Sequence, residues 1–243
     1  MARQTELRIL LALASAALLG AQLTHVCAQS PGGSATLKEP LKQIVPSLEL
    51  NQETILDGLA KLNQSTTGLG FSVELPLGQT ISAQAPKLRS FEVVLPASTL
   101  GSVLDQLCHL DPTFAWQQSG SQINVFPRAL EKDTRYLLNR KVEFLEFKYV
   151  PDAQAAVFQT VARLPAPKEQ IAIMQSGAAV NFARPWTASF RDITVREAFN
   201  RIAQQIGTNY GWQFTGAADF RIVTFYARLG TTPRTSEARK ALP

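Results

Sequence analysis

The chain predicts an α+β fold of two tandem βαββαββ domains, each a mixed sheet with two helices packed on one face. Three observations carry this. Apolar stretches of period two alternate with amphipathic stretches of period 3.6. The order strand, helix, strand, strand, helix, strand, strand occurs twice. Two segments, FAWQQSG (Phe114 to Gly120) and YGWQFTG (Tyr210 to Gly216), repeat Trp, Gln and Gly at identical spacing.

In the first half, Leu48 and Leu50 mark a strand, and Asn51 is placed to cap a helix carrying Ile55, Leu56, Leu59 and Leu62. Leu69, Phe71, Val73 and Leu75 then alternate with Gly70, Ser72 and Glu74, the period of a half-buried strand. Phe91, Val93 and Leu95 alternate again. Ser98 is placed to cap a second helix with Leu100, Val103, Leu104 and Leu107 inward. Phe114 and Trp116, then Ile123 and Val125, flank an SGS turn and form a hairpin.

The second half repeats this. VEFLEFKYV (Val142 to Val150) is a strand whose phase changes at Phe144–Leu145, which predicts a bulge there. Pro151 and Asp152 open a helix carrying Ala153, Val157, Val161 and Leu164. A weakly patterned strand is expected near Ile171 to Ile173. After WTASF, Thr194 and Glu197 form a capping box for a helix with Val195, Ala198, Phe199, Ile202 and Ile206 on one face, stopped at Gly207. Tyr210, Trp212 and Phe214, then Ile222, Thr224 and Tyr226, make the last hairpin.

Leu100, Val103, Leu104 and Leu107 match Val195, Ala198, Phe199 and Ile202 at constant offset, with one residue gained before the Trp strand. TILDGLAKL followed by LGFSVEL reads as a third, weaker copy of the helix–strand unit. The two Trp motifs are therefore equivalent places in a duplicated domain, and the alternation predicts paired core tryptophans.

The flanks differ. Arg3 and Arg8 precede the apolar run ILLALASAALLGA, of the length of a signal-peptide core and short for a membrane span, with cleavage expected after Ala28 and, as the alternative, after Ala21. Val26 and Thr24 before Cys27 depart from a lipidation signal. Residues 29–42 and 228–243 have linker composition and are expected to be disordered. The expected organisation is thus a leader (1–28), a linker (29–42), a first domain (43–127), a basic connector (128–141), a second domain (142–227) and a basic tail (228–243).

Removal of the leader leaves Cys108 alone, so no internal disulfide is available. Secretion without disulfides fits a bacterial periplasm. Cys108, on the apolar side of its helix, is expected to be a small buried hydrophobe. The chain has a net charge of +5, and its basic character belongs to the connector and the tail, each net +3, so the folded parts are near neutral; this points to contact with anionic surfaces and not to a basic groove for nucleic acid. A KH-type Gly-x-x-Gly clamp is also missing.

The stretch LPASTLGSVLDQLCHLDPTFAWQQSGSQINVFP (Leu95 to Pro127) resembles the secretin and TonB-receptor short N-terminal domain. Leu100, Val103, Leu104, Asp105 and Leu107 fit its helix, and Gly120, Ile123 and Val125 its hairpin return. ITVREAFNRIAQQIGTNYGWQ is similar in the second half. The resemblance covers about two thirds of the mature chain. It implies adaptor-like protein binding in the cell envelope, without the barrel that such domains precede.

No site chemistry is legible in the motifs. His109 ends a helix, where a cation complements the C-terminal dipole. One His and one Cys do not build a zinc site. No phosphate loop or nucleophile elbow occurs. Asp57, Asp105, Asp152 and Asp192 fall on polar helix faces or near helix starts, where solvated or capping roles are expected. The expectation is a non-enzymatic periplasmic adaptor with no catalytic, metal or cofactor residues. Its partner would be an envelope channel, receptor or secretion component, or a second copy. The alternatives are a periplasmic glycan or small-ligand binder on the Trp pair, or a carboxylate-dependent hydrolase.

Overall fold

The computed structural model describes residues 39–76, 88–164, 170–173, 180–217 and 220–228. The expected leader, most of the expected linker and the tail beyond Arg228 lie outside the described residues. No helix among the described residues is long and apolar enough to cross a membrane.

The fold is α+β. The first half contains β1 (Ile44–Val45), β2 (Leu48–Thr54), α1 (Ile55–Ser65), β3 (Gly70–Glu74), β4 (Ser90–Leu95), β5 (Ser98–Thr99), α2 (Leu100–Leu110), β6 (Phe114–Ser119) and β7 (Gln122–Pro127). The second contains β8 (Lys141–Asp152), α3 (Ala153–Ala162), β9 (Gln170–Ile173), β10 (Asn181–Thr194), α4 (Val195–Ile206), β11 (Gly211–Ala217) and β12 (Phe220–Tyr226). Apart from the short β1–β5 pair, the predicted order occurs in both halves.

The helix starts follow from local chemistry. In α1 the cap is Thr54, not Asn51: the Asp57 carboxylate accepts from the Thr54 N–H at 2.8 Å and from its hydroxyl at 2.8 Å. Asp57 is thus part of a capping box, which satisfies donors that a helix start leaves open. Thr99, one residue after Ser98, caps α2 by accepting from the Ser102 N–H. Asp152 accepts from the Ala155 N–H at 2.7 Å at the start of α3. The Thr194–Glu197 box opens α4 as expected.

Apart from β1 and β5, which pair with each other, each half divides its strands between two sheets. β2 pairs antiparallel with β4, and β8 with β10. The other long strands form one six-stranded sheet that runs through both halves in the order β6-β7-β3-β11-β12-β9. Both sheets of a half pack on its two helices. The bulge in β8 is not at Phe144–Leu145, where pairing with Arg191 and Phe190 is continuous. It falls beyond Phe147, and Tyr149 takes a left-handed φ of 53° there.

The two halves join through parallel pairing of β3 with β11, Val73 opposite Gln213 and Glu74 opposite Phe214. Directly paired residues share a face of a sheet. Val73 belongs to the first core and Phe214 to the second. The two cores therefore lie on opposite faces of the shared sheet. As a result β3 and β7 are buried on both faces, including Ser72, Glu74, Gln122 and Asn124. The connector is also packed: Tyr136, Leu137 and Leu138 are buried in the second core.

Candidate functional site

The seam between the halves is polar and close-fitting. Its backbones approach closely at two glycines. A methyl at Gly70 would stand 2.0 Å from the Tyr210 carbonyl oxygen, and one at Gly211 would stand 1.8 Å from that of Phe71. Only glycine leaves that space. Side chains stitch the two strands. Gln122 Nε2 donates to the Tyr210 carbonyl at 2.9 Å, the Tyr226 hydroxyl donates to that of Phe71 at 2.7 Å, and the Leu75 N–H donates to that of Phe214 at 2.8 Å.

Charge closes one end. Glu74 on β3 is fully buried and forms a forked pair with Arg196 on α4, with Nη2 donating to Oε2 at 3.0 Å. Arg196 Nη1 donates to Asn139 Oδ1 at 2.7 Å, and the guanidinium lies 4.9 Å from the centre of the Phe126 ring. Burial pushes the Glu74 carboxyl up, against the pull of Arg196. The Tyr136 phenol nearby is pushed up by burial and by the charge of Glu74. Asn124, buried on the same face as Ser72, has no hydrogen-bond partner for its amide among the described residues. An orphan of this kind costs about 1–3 kcal/mol.

The Trp motifs are equivalent in bonding and unequal in burial. Trp212 is fully buried and its Nε1 donates to Asn200 Oδ1 at 2.9 Å. Trp116 Nε1 donates to Asp105 Oδ1 at 2.9 Å, with Asp105 at the place of Asn200 on the matching helix. Trp116 is only half-buried. The paired-core expectation therefore holds for Trp212 and is corrected for Trp116, because β6 is a margin of the sheet and β11 is interior. Beside Trp116 lies an open groove of about 400 Å³ lined by Asp105, Cys108, His109, Arg128 and Glu131, among others. Burial pushes the Cys108 thiol up to about 11.

The remaining acids stay apart. Asp57 and Asp152 cap helices, and Asp192 is exposed with a left-handed φ of 52°. Among the described residues no three His, Cys, Asp or Glu side chains are grouped to hold a metal. His109 sits in the last turn of α2, exposed.

Two kinds of strand edge are open among the described residues. β6 and β9 end the large sheet, and the β2–β4 and β8–β10 pairs have no further neighbours. Arg128 covers the start of the β6 edge, donating to the carbonyls of Pro112 and Phe114, each at 3.0 Å. The two-stranded pairs carry large exposed apolar side chains instead: Val94 on β4, and Phe144 and Tyr149 on β8, Tyr149 being 80% exposed. The strained Tyr149 backbone is held by its N–H donating to Thr187 Oγ1 at 3.2 Å.

Comparison with known proteins adds no relative. No family model matches the chain. No curated protein and no solved structure matches it.

Proposed function

We propose that the protein is a non-enzymatic adaptor of the bacterial periplasm, built from two repeats like the short N-terminal domain of secretins and TonB receptors. It would bind another envelope protein, such as a channel, receptor or secretion component. One observation carries this. Each half holds out a two-stranded pair that lacks neighbours among the described residues and exposes large apolar side chains, with Tyr149 fixed in a strained bulge. Unpaired strand edges accept added strands through main-chain hydrogen bonds, and exposed aromatics supply contact area. Strain at an exposed residue is a pointer to function.

The test places a photo-crosslinking residue at position 149 in the full-length chain. Crosslinking in intact cells should capture one discrete envelope protein, and Phe144→Ala should reduce the yield. No captured protein, or capture equal to that from a crosslinker at exposed Arg163, would end this reading.

The half-exposed Trp116 ring in its polar groove supports a second reading, a glycan or small-ligand site. Sugars stack on exposed indoles while nearby polar groups hold their hydroxyls. In a Trp186→Phe background, oligosaccharides should then change the emission of Trp116 and spare that of Trp212.

A further inference from the structure

The margin of the large sheet at β6 is open over a short, defined stretch. The Arg128 N–H donates to the Thr113 carbonyl at 2.7 Å, at the start of the β6–β7 pair. Bonded and outward groups alternate along an antiparallel strand, so Ala115 and Gln117 also bond β7, while Phe114, Trp116 and Gln118 turn their N–H and carbonyl groups outward. Both outward groups of Phe114 are taken. Its N–H donates to the Asp111 carbonyl at 3.1 Å, and its carbonyl accepts from Arg128 Nη2 at 3.0 Å. Those of Trp116 and Gln118 have no strand beyond them among the described residues. On the equivalent strand β11 the same two places are met by β3. The Trp212 N–H donates to Ser72 Oγ at 3.4 Å, and the Phe214 carbonyl accepts from the Leu75 N–H at 2.8 Å.

We propose that this stretch docks the C-terminal segment of another protein, added as an antiparallel strand with its terminal carboxylate at Arg128. The groove of about 400 Å³ beside Trp116 lies on the same margin, since Ala115, Trp116 and Arg128 line it together with His109 and Glu131. An added strand gains main-chain hydrogen bonds from Trp116 and Gln118, and the half-buried indole offers one of its side chains a surface to pack on.

Arg128 sets the direction and the end. Its Nε and Nη2 donate to the Pro112 and Phe114 carbonyls, each at 3.0 Å, while Nη1 has no acceptor among the described residues. The guanidinium is thus held in place before a ligand arrives, which lowers the ordering cost of binding. Seated at Phe114, it closes the edge to further pairing. An internal segment would have to turn away there, whereas a chain terminus simply stops. β6 begins at Phe114, so a strand whose carboxyl end lies at that point runs antiparallel to β6. Its carboxylate then meets Nη1 in a charge-assisted hydrogen bond. The rest of the ligand is restricted by Asp105 and Glu131, two acids that line the groove against one guanidinium. They favour neutral or basic side chains on the segment, with the terminus as its matched acid. This surface is on different strands from Tyr149, so the inference does not depend on the adaptor reading.

The test exposes the full-length chain to random peptides displayed on phage with free C-termini. Enriched sequences are synthesised in two forms, with a terminal carboxylate and with a terminal amide. The carboxylate form should bind about tenfold or more tightly than the amide, the effect of one charge-assisted hydrogen bond. Bound peptide should slow exchange of the Trp116 and Gln118 amides by about tenfold or more. Arg128→Gln should reduce the affinity for the carboxylate form to that for the amide. A screen that enriches no peptide overturns the proposal. Equal affinity of the wild type for the two forms overturns it, as does binding that leaves the Trp116 and Gln118 amides unprotected. Oligosaccharides that shift the Trp116 emission where no peptide binds would make the groove a sugar site and likewise overturn it. The deciding comparisons use the wild-type chain, so they stand even if Arg128→Gln does not fold, and their failure leaves the crosslinking result at position 149 unaffected.

Discussion

Removing one partner of the Glu74–Arg196 pair should damage the protein far more than removing both. Glu74 is completely buried and the Arg196 side chain is 8% exposed, so neither charge can turn to water when its partner is lost. Breaking a buried pair by deleting one member costs about 3–5 kcal/mol, because an uncompensated charge is left behind. Replacing both members by apolar residues of similar size is often neutral or better. The Phe126 ring beneath the guanidinium is ready to pack against a thioether. Asn139 would lose one donor to its Oδ1, but its Nδ2 still holds the carbonyls of Leu130 and Asp133. Glu74→Leu and Arg196→Met should therefore each lower stability by roughly 3–5 kcal/mol, and the double variant by about 1 kcal/mol or less. Urea unfolding of the four proteins, at equal slopes, supplies the cycle. Single costs below about 1 kcal/mol, or a double cost equal to the sum of the singles, would refute the argument that the pair acts as a buried unit.

The two tryptophans should respond differently to truncation. Trp212→Ala removes a fully buried ring and should cost about 3–5 kcal/mol, while Trp116→Ala should cost roughly half of that, as read by thermal unfolding. The Cys108 thiol, pushed up to about 11, should stay protonated at pH 8 and react with a disulfide reagent at least tenfold more slowly in the folded than in the unfolded chain. A raised thiol contributes stability that is complete below the ordinary thiol range and is lost as pH climbs through about 11. Cys108→Ala should lack that part of the alkaline decline. Thr194→Ala removes the α4 capping box and should cost about 1 kcal/mol in chemical unfolding.

The element order was legible because period and caps are local. The alternation at Phe71 and Val73, the stripe of α4 and the Thr194–Glu197 box each depend on residues a few positions apart. What the sequence hid is what covers the other face of β3 and β7. Phe71-Ser72-Val73-Glu74 alternates as a half-exposed strand does, and nothing nearby says that Ser72 and Glu74 meet the second half. The same gap misplaced Trp116. Its flanking pattern equals that of Trp212, and only the sheet order makes one strand interior and the other marginal. Gly70 and Gly211 were legible as glycines but not as a pair. The tertiary need for them arises between segments far apart in the chain. The helix caps Thr54 and Thr99 were each displaced from the expected residue because several adjacent polar residues compete for the position.

The joining of β3 to β11 sets a schedule for folding. The Trp212 N–H and the Ser72 hydroxyl that it reaches are 140 residues apart in sequence. At ~5–20 residues per second, synthesis takes on the order of ten seconds between the two. β3 has no strand partner until β7 is made and then one on one side only, and Glu74 has no cation until Arg196 follows. Pairings of such long separation are slow to form even in the finished chain, since loop closure precedes any gain. The first half must therefore wait, with a polar face uncovered, for a counterpart made 140 residues later. A chaperone or an early partner that binds β3 would meet it only during this window.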